Sequence, residues 1–467
     1  MSSLSSGINT ALQAILAQSQ VIEVIDHNVA NVDTTGYHRQ SAVLEATSSN
    51  PTMSTYLGIG AGQLGTGVTV EQIQRFSQDY LDTQYRAVSA QNKNWDYQNQ
   101  ILTQVESAMS DTSGGGLSSE LDQFWAAWQD LASDPTETSY RQEVLTDAAS
   151  LCQVFNNDAQ QLVSLQQDQN ETIESQVSQI NSLAKSIADL NGQISQAEAE
   201  NQQPNDLLDQ RDDDLDQLAE LTGAVSSTQA NGEVTVSISG HMLVTGQNAL
   251  TLQTEADPTN NGLDSIVWAN DSHSFTSNGG ELGGILQARD VYIPKQLNAI
   301  NQMANTLITQ VNALHSSGYT QDGTQGGQFF SGSSALDISV EDGLTAEDIA
   351  ASSSASESGN SDIATQIYNL SSQKLMANNT QTLGDYYNGA VTDLANTTQQ
   401  ASDNSGQSAT VLDALDTQRQ SVYGVSQDEE ATNLATAQQA YQAAARVMTV
   451  INDLLDVVIN QMGVGSG

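Results

Sequence analysis

Residues 1–32 read MSSLSSGINTALQAILAQSQVIEVIDHNVANV. Ile8, Ile15, Ile22 and Val29 recur at seven-residue intervals, and Leu4, Ala11, Ile25 and Val32 fill most of the alternate position, with Gln18 the polar gap. A strict seven-residue apolar repeat is a coiled-coil seam, narrower than the face of an ordinary globular helix, and it needs a partner helix. The best match is at the far end of the chain. Leu434, Tyr441, Met448, Leu455 and Met462 keep the same interval, and Ala437, Ala444, Ile451 and Val458 fill the second position. Two ends that match across a whole protein describe a molecule built to be stacked by its ends. At 1.5 Å per residue the first helix spans about 45 Å. It stops in Asn31-Val32-Asp33-Thr34-Thr35-Gly36, a turn cluster in which Gly36 can take positive φ.

Composition narrows the class. Lys and Arg number 12 against 56 Asp and Glu, a formal charge of -44. A phosphate backbone or an anionic lipid surface is held by clustered cations, so neither nucleic acid nor membrane is an expected partner. The charge is uneven: residues 1–38 contain no Lys or Arg, and from Ala431 onward the charges are Arg446, Asp453 and Asp456. The ends are suited to burial, and the acidic middle is read as facing a salty or acidic medium. Cys152 stands alone, which excludes an intrachain disulfide and reads as a packed helical thiol beside Leu151, Val154 and Phe155. The N-terminus lacks the basic and apolar regions of a secretory signal, and no stretch reaches the roughly 20 apolar residues of a membrane span.

The body reads as helices with one β insertion. The extended stretch 41–75 contains Gly60-Ala61-Gly62-Gln63-Leu64-Gly65, a GxGxxG by letter. It precedes a strand pattern rather than a helix, so it is read as a loop and not as a cofactor cradle. Ser113-Gly114-Gly115-Gly116 breaks the helical pattern that follows, and Phe124, Trp125, Trp128 and Leu131 form a bulky face. Ile173, Ile180, Ile187 and Ile194 make another seven-residue seam, read as bundle core. Asp209, Asp212, Asp213, Asp214 and Asp216 invite a metal reading, but consecutive acids on a helix point in different directions, and a solvated face is expected. His38 beside Arg39 is read as serving a turn or an interface, since no carboxylate accompanies it locally. Val234, Val236 and Ile238 alternate between turn signals, the mark of strands. Leu383, Val391, Leu394, Val411 and Leu415 are core candidates in a late helix.

The expected fold is therefore mainly α with inserted β (α+β). Residues 1–40 and 425–467 form a terminal coiled-coil domain. A long-helix bundle covers 41–222, 281–318 and 360–424, with an extended β segment near 41–75. A small β-rich domain occupies 223–280, and 319–359 is a strand and loop segment with a low-complexity linker at Ser352–Ser361.

Three groups of residues carry a resemblance. The first, Ser6-Gly7-Ile8 with Asn28-Val29-Ala30-Asn31 and Thr35-Gly36-Tyr37-His38-Arg39-Gln40, is similar to the N-terminal signature of the bacterial flagellar rod, hook and hook-associated proteins. Gln438-Gln439-Ala440-Tyr441-Gln442-Ala443-Ala444-Ala445-Arg446-Val447 resembles their C-terminal signature. Asn205-Asp206-Leu207-Leu208-Asp209-Gln210-Arg211-Asp212, with Gly318-Tyr319 and Gly326-Gly327-Gln328-Phe329-Phe330, resembles the branch found at the junction of hook and filament. The resemblance implies terminal helices that pair inside an axial tube, export through the flagellar type III apparatus with a dedicated cytoplasmic chaperone, and a ring of like subunits. Its neighbours would be hook protein on one side and a second junction protein or the filament on the other. It would stand outside the cell, exported without a cleaved signal peptide. The assembly interface would be carried by Leu4, Ile8, Ile15, Ile22, Ile25, Val29, Val32, Leu434, Tyr441, Met448, Ile451, Leu455 and Val458. The signature residues proper are Asn28, Asn31, Gly36, Tyr37, Arg39, Asn205, Asp206, Leu207, Leu208, Asp209, Arg211 and Asp212.

No catalytic, cofactor or metal constellation is expected: there is no GxSxG elbow, HExxH, Walker loop or paired Cys-x-x-Cys. A structural subunit is the leading reading. The alternatives are a rod or hook relative, or an axial frame carrying an adhesin or enzyme in the segments near 223–280 or 319–350.

Overall fold

The computed structural model describes residues 2–48, 65–109, 116–277 and 279–461. The glycine-rich match at 60–64, the break at 113–115 and Met462 lie outside the described residues.

The first helix, α1 (Ser2–Ala30), ends short of Val32 and packs against the last, which by its place in the chain is α10 (Gln427–Asp456). They run antiparallel. Gly7 sits against Ile451, where an added Cβ would come within 3.0 Å of its Cδ1, while Asn28 meets Glu430 at the opposite end. A hairpin of β1 (Gln40–Ala46) and β2 (Val68–Arg75) lies along a second flank of α1, with Thr10 bonding to the Thr66 carbonyl at 3.3 Å. The buried side of α1 is therefore wider than one seam: Ala11, Ala17, Val24, Ile25 and Asn28 are buried.

The body is built on two long helix pairs. The helix α2 (Asp79–Ala108) runs alongside α9 (Leu383–Tyr423). Next come α3 (Leu117–Ser133) and α4 (Thr138–Ala199), and at 62 residues α4 is about 90 Å long. Its first half packs in an aromatic core with Phe124, Trp128, Phe329 and Phe330, shared with α7 (Ile293–His315) and α8 (Asp362–Asn369). Its second half belongs to another core. Ile173, Ile180 and Ile187 pack against α5 (Asn205–Thr222) and a β module rather than against a bundle of helices.

In that module β3 (Val225–Thr228), β4 (Val234–Ile238), β5 (His241–Thr245) and β6 (Asn248–Ala249) form an antiparallel sheet in that order. A separate hairpin pairs β7 (Leu252–Ala256) with β8 (Asp264–Trp268). Val234, Val236 and Ile238 turn inward, so the alternation read in the sequence is the pleat. The helix α6 (Gly280–Gln287) returns the chain to α2 and continues through a π turn at Ala288–Tyr292 into α7.

Two expectations are corrected here. Ser352–Ser361 is no linker. Ser352 is buried and exchanges backbone hydrogen bonds with Tyr319 at 2.8 and 3.2 Å, and its hydroxyl donates to the carbonyls of Ser354 and Glu357. Serine hydroxyls satisfy tight turns as readily as they populate flexible chain. A short pair, β9 (Phe330–Ser331) with β10 (Ser339–Val340), precedes it. Val411 is 47% exposed on α9, since α2 covers a single face of that helix. Cys152 is the packed thiol expected, and burial pushes it up to about 12.

Candidate functional site

The place where the terminal helices meet the body is made almost entirely of polar side chains. It starts at the last turn of α1. The Asn28 amide behaves like a strand edge: it donates to the Gln40 carbonyl at 2.8 Å and accepts from the Gln40 N–H at 2.9 Å. Tyr37 donates to the same Asn28 oxygen at 2.8 Å, and the Asn28 amide also donates to Glu430 of α10 at 3.3 Å. One side chain thus ties α1 to β1 and to α10. The turn between them holds Gly36 at φ +77°, a value that disfavours any L side chain. Asn31 stabilises the same turn, donating to the His27 carbonyl and accepting from Thr34.

From Gln40 the chain of bonds enters α5. The Asn205 amide donates to the Gln40 side chain at 3.1 Å and to the Ile73 carbonyl at 2.9 Å, and Gln40 donates to Asp206 at 3.2 Å. Asp209, Asp212 and Asp216 fall three and four residues apart, hence on one face of the helix. That face meets arginines from elsewhere. Arg75 of β2 bridges Asp209 and Asp212, each at 2.6 Å. Arg86 of α2 bridges Asp212 at 3.0 Å and Asp216 at 2.5 Å. Arg419 of α9 bridges Asp216 at 2.9 Å and Asp82 at 3.0 Å. Tyr423 donates to Asp82 at 2.9 Å and stacks on His38, whose Nδ1 lies 2.9 Å from Asp209. Arg39 closes the circuit: its N–H donates to the Tyr423 carbonyl, and its guanidinium pairs with Glu429 at 2.9 Å.

The solvated face expected for these acids is thereby corrected. Asp209 is 8% exposed, and Arg75, Arg86 and Arg419 keep only 9–12% of their side-chain surface. In a chain with 12 Lys and Arg against 56 acids, this concentration of arginine at one place is a strong bias. The electrostatics agree. Burial opposes the Asp212 carboxylate, yet Arg75 and Arg86 outweigh it and hold the group below the usual carboxylate range. Burial drives Asp82 upward, against the pull of Arg419 and Tyr423. The Asp216 and Asp82 carboxylates raise Arg419 despite burial.

Chemically the arrangement clamps. The Asp212 oxygens each face a guanidinium, and no group of three or more His, Cys, Asp or Glu among the described residues is arranged for a metal ion.

The signature residues do not all serve this clamp. Arg211 points the other way, donating to the Gly232 carbonyl at 2.6 Å and to Asn191 at 3.2 Å, and ties α5 to the β module. Leu207 and Leu208 are half-buried. Arg75, Arg86, Arg419, Asp82 and Tyr423 were missed by sequence reading; the scarcity of cations is the signal that marks the arginines. His38 does have its carboxylate, supplied by α5 and not by its neighbours in sequence.

The expected interface residues divide by burial. Ile25 is buried between the helices. Ile8, Ile15, Ile22, Val32, Leu434, Met448, Ile451, Leu455 and Val458 are half-buried, and Leu4 stands in the first turns of α1. Val29 and Tyr441 are 40% and 39% exposed, so the intrachain seam is corrected there: it is rotated toward Ala11, Ala17 and Val24 because the hairpin covers that flank.

Residues 102–330 match the family described as "Flagellar hook-associated protein FlgK helical domain", and residues 418–462 match "Flagellar basal body rod FlgEFG protein C-terminal". The chain is 32% identical over 507 aligned residues to flagellar hook-associated protein 1 of Bacillus subtilis, covering 100% of both chains. It is 31% identical over 337 residues to the protein of that name from Salmonella typhimurium, covering 70% of this chain and 60% of the relative. The solved flagellar hook junction protein FlgK of Burkholderia pseudomallei shares the fold, with a TM-score of 0.67 at 18% identity over 73% of this chain and 100% of that one.

Proposed function

The chain belongs to the flagellar hook-associated protein 1 family, and from that premise we propose that it forms the junction between hook and filament as a ring of like subunits joined through α1 and α10. It is a structural subunit of the flagellum and not an enzyme, and it associates with other axial components.

The interface of the ring is assigned to Leu4, Ile8, Ile15, Ile22, Ile25, Val29, Val32, Leu434, Tyr441, Met448, Ile451, Leu455 and Val458. Hook protein lies on one side, and a second junction protein or the filament base on the other. A cytoplasmic chaperone holds the chain before export through the type III apparatus, and the assembled protein is extracellular. The chain divides into the terminal helix domain, the helical body and the β module at 223–280.

One observation carries this reading. The N-terminal signature and the Asn205–Asp212 string, remote in sequence, close on one ionic clamp with the start of α10. Such a clamp fixes the terminal pair against the body, which a subunit needs if its ends line a tube while its body stays outside. Stacking by the ends also explains why apolar side chains such as Leu16 and Leu454 remain 52% and 50% exposed on the pair.

A deletion strain tests it. Hooks should assemble normally while filament protein accumulates in the medium, and the intact gene should restore filaments. Loss of hooks, or filaments that grow without the protein, would overturn the junction assignment.

A further inference from the structure

The body holds two hydrophobic cores, and the helices that run along it lose their apolar stripe near one level between them. Along α4 the buried positions read Leu162, Gln166, Gln169 and Ile173, so two glutamines stand where the stripe would continue. Leu162 belongs to the aromatic core and Ile173 to the core of the β module. Along α2 the buried Ile101 is followed, toward the N-terminus, by Gln98 and Asn94. The run from α6 to α7 leaves one core at Ile285 and enters the other at Ala288, where α-helical bonding gives way to the π turn. On α9 the positions buried between Leu394 and Leu415 are Thr398, Ala401 and Ser408. Asn92 of α2 donates to the Ser405 carbonyl at 3.0 Å and to the Ser408 hydroxyl at 3.2 Å, which sets this stretch of α9 beside the same part of α2. Gly406 lies within it, with open space where a Cβ would stand.

Hydrogen bonds fill the gap in the stripe. Tyr97 donates to the Gln169 side chain at 2.9 Å, and Tyr292 donates to the Gln98 side chain at the same distance. Gln166 donates to the Arg289 carbonyl inside the π turn at 2.9 Å, and the Arg289 guanidinium donates to Asn170 at 2.8 Å. Such bonds satisfy the buried groups but add little net stability, because water offers the same bonds to the unfolded chain. Burial of apolar surface is the larger driving force, and this layer interrupts it. Cooperative opening follows contiguous packing, so the layer is a boundary at which one side can open without the other. The two sides are unequal. The aromatic core contains Phe124, Trp128, Phe155, Phe329 and Phe330, whereas the other core has Trp268 and Phe275. Buried aromatic rings dominate the energetics of a core, so the side with the β module is the weaker.

We infer that the body is two cooperative units divided by this hydrogen-bonded layer, and that the unit with the β module opens as a whole while the aromatic unit stays closed. The boundary does not follow the chain junctions on either side of the β module. It cuts across the continuous helix α4 between Leu162 and Ile173, so the second half of α4 opens with α5 and β4. Nothing in this depends on the junction role proposed above.

Native-state hydrogen exchange of the full-length chain, read by mass spectrometry of peptides, tests the division. Amides at 173–194 of α4 should exchange together with those of α5 and β4, and faster than amides at 144–162 of the same helix. Leu151 and Ile187 are fully buried, one in each core. Leu151→Ala should speed exchange at 144–162 by about thirtyfold or more and leave 173–194 unchanged. Ile187→Ala should speed exchange at 173–194 by about the same factor. If Leu151→Ala does not fold, Leu151→Val makes the same comparison with a smaller factor, and the unmutated profile still locates the boundary. One rate along the whole of α4, with Leu151→Ala speeding both halves alike, would make the body a single unit and overturn the inference. A step at Thr222 and Gly280, with α4 evenly protected from end to end, would overturn it as well.

Discussion

Asp212 is the side chain on which the clamp turns. It accepts from two arginines that come from β2 and α2, and its own side chain is 19% exposed. Asp212→Asn should destabilise the protein by about 3 kcal/mol, because removal of one partner leaves buried charge uncompensated. Asp189→Asn, which breaks an exposed pair with Lys185, should change stability by no more than about 0.5 kcal/mol. Denaturant melts of both variants check the contrast. The sign with pH follows from the direction of the shift. The native carboxylate of Asp212 titrates below its ordinary value, so its contribution is present above about pH 4 and is lost as pH falls through the native value. His315 behaves differently. It is fully buried; its Nε2 accepts from the Ala350 N–H at 3.0 Å, and its Nδ1 lies 2.8 Å from the Gly327 carbonyl. Burial, with Arg141 adding to it and Asp348 opposing, lowers its pKa. The unfolded chain therefore takes up a proton first, and stability should decline as pH drops below about 6.5. In His315→Gln that part of the decline should vanish, as thermal melts between about pH 7 and 5 would record. Asn28, Asn205 and Asp209 could be picked from the sequence because they belong to strings that resemble a family. Arg75 and Arg419 belong to no such string, and the scarcity of cations marks them without naming their partners. Arg75 reaches Asp209 across 134 residues, and an ion pair between distant segments leaves no period to read.

At the scale of elements, the period of a helix was legible and its partner was not. The seven-residue spacing of Ile173, Ile180 and Ile187 announced a buried stripe, and each is fully buried. What covers them is α5 and the β module, since a stripe specifies that something apolar lies opposite but not whether it is a helix or a sheet. Ile187→Ala should cost about 2–4 kcal/mol through lost transfer energy and the cavity left behind. Val411→Ala, at an exposed position that sequence reading assigned to the core, should cost less than about 0.5 kcal/mol. Chemical denaturation of the pair checks the assignment of faces. The same logic explains the terminal helices. Both seams were visible, yet the buried side of α1 is broadened by a hairpin whose contact with it rests on Thr10 and Gly67, residues of no apolar period.

For the whole molecule, the formal charge of -44 is a repulsive load on the compact state. Raising ionic strength from about 0.01 to 1 M shortens the screening length from roughly 30 to 3 Å, so exposed acids cease to repel across the surface. The buried arginine pairs are screened much less. Tm should therefore rise with sodium chloride, and a calorimetric series at fixed pH would show it; a Tm that falls with salt would mean that attractive pairs dominate. Among the described residues no helix is long and apolar enough to cross a membrane.

Two stretches of chain lead from the terminal pair to the body, the turn after α1 and the link between α9 and α10, and a hydrogen bond from the Arg39 N–H to the Tyr423 carbonyl, with the His38–Tyr423 stack and the Arg39–Glu429 pair beside it, stitches them together. Any load passed between the terminal pair and the body crosses those two stretches and the ion pairs beside them. Paired guanidinium and carboxylate groups fix direction as well as distance, so the crossing is held in one orientation where an apolar plug of the same size could slide.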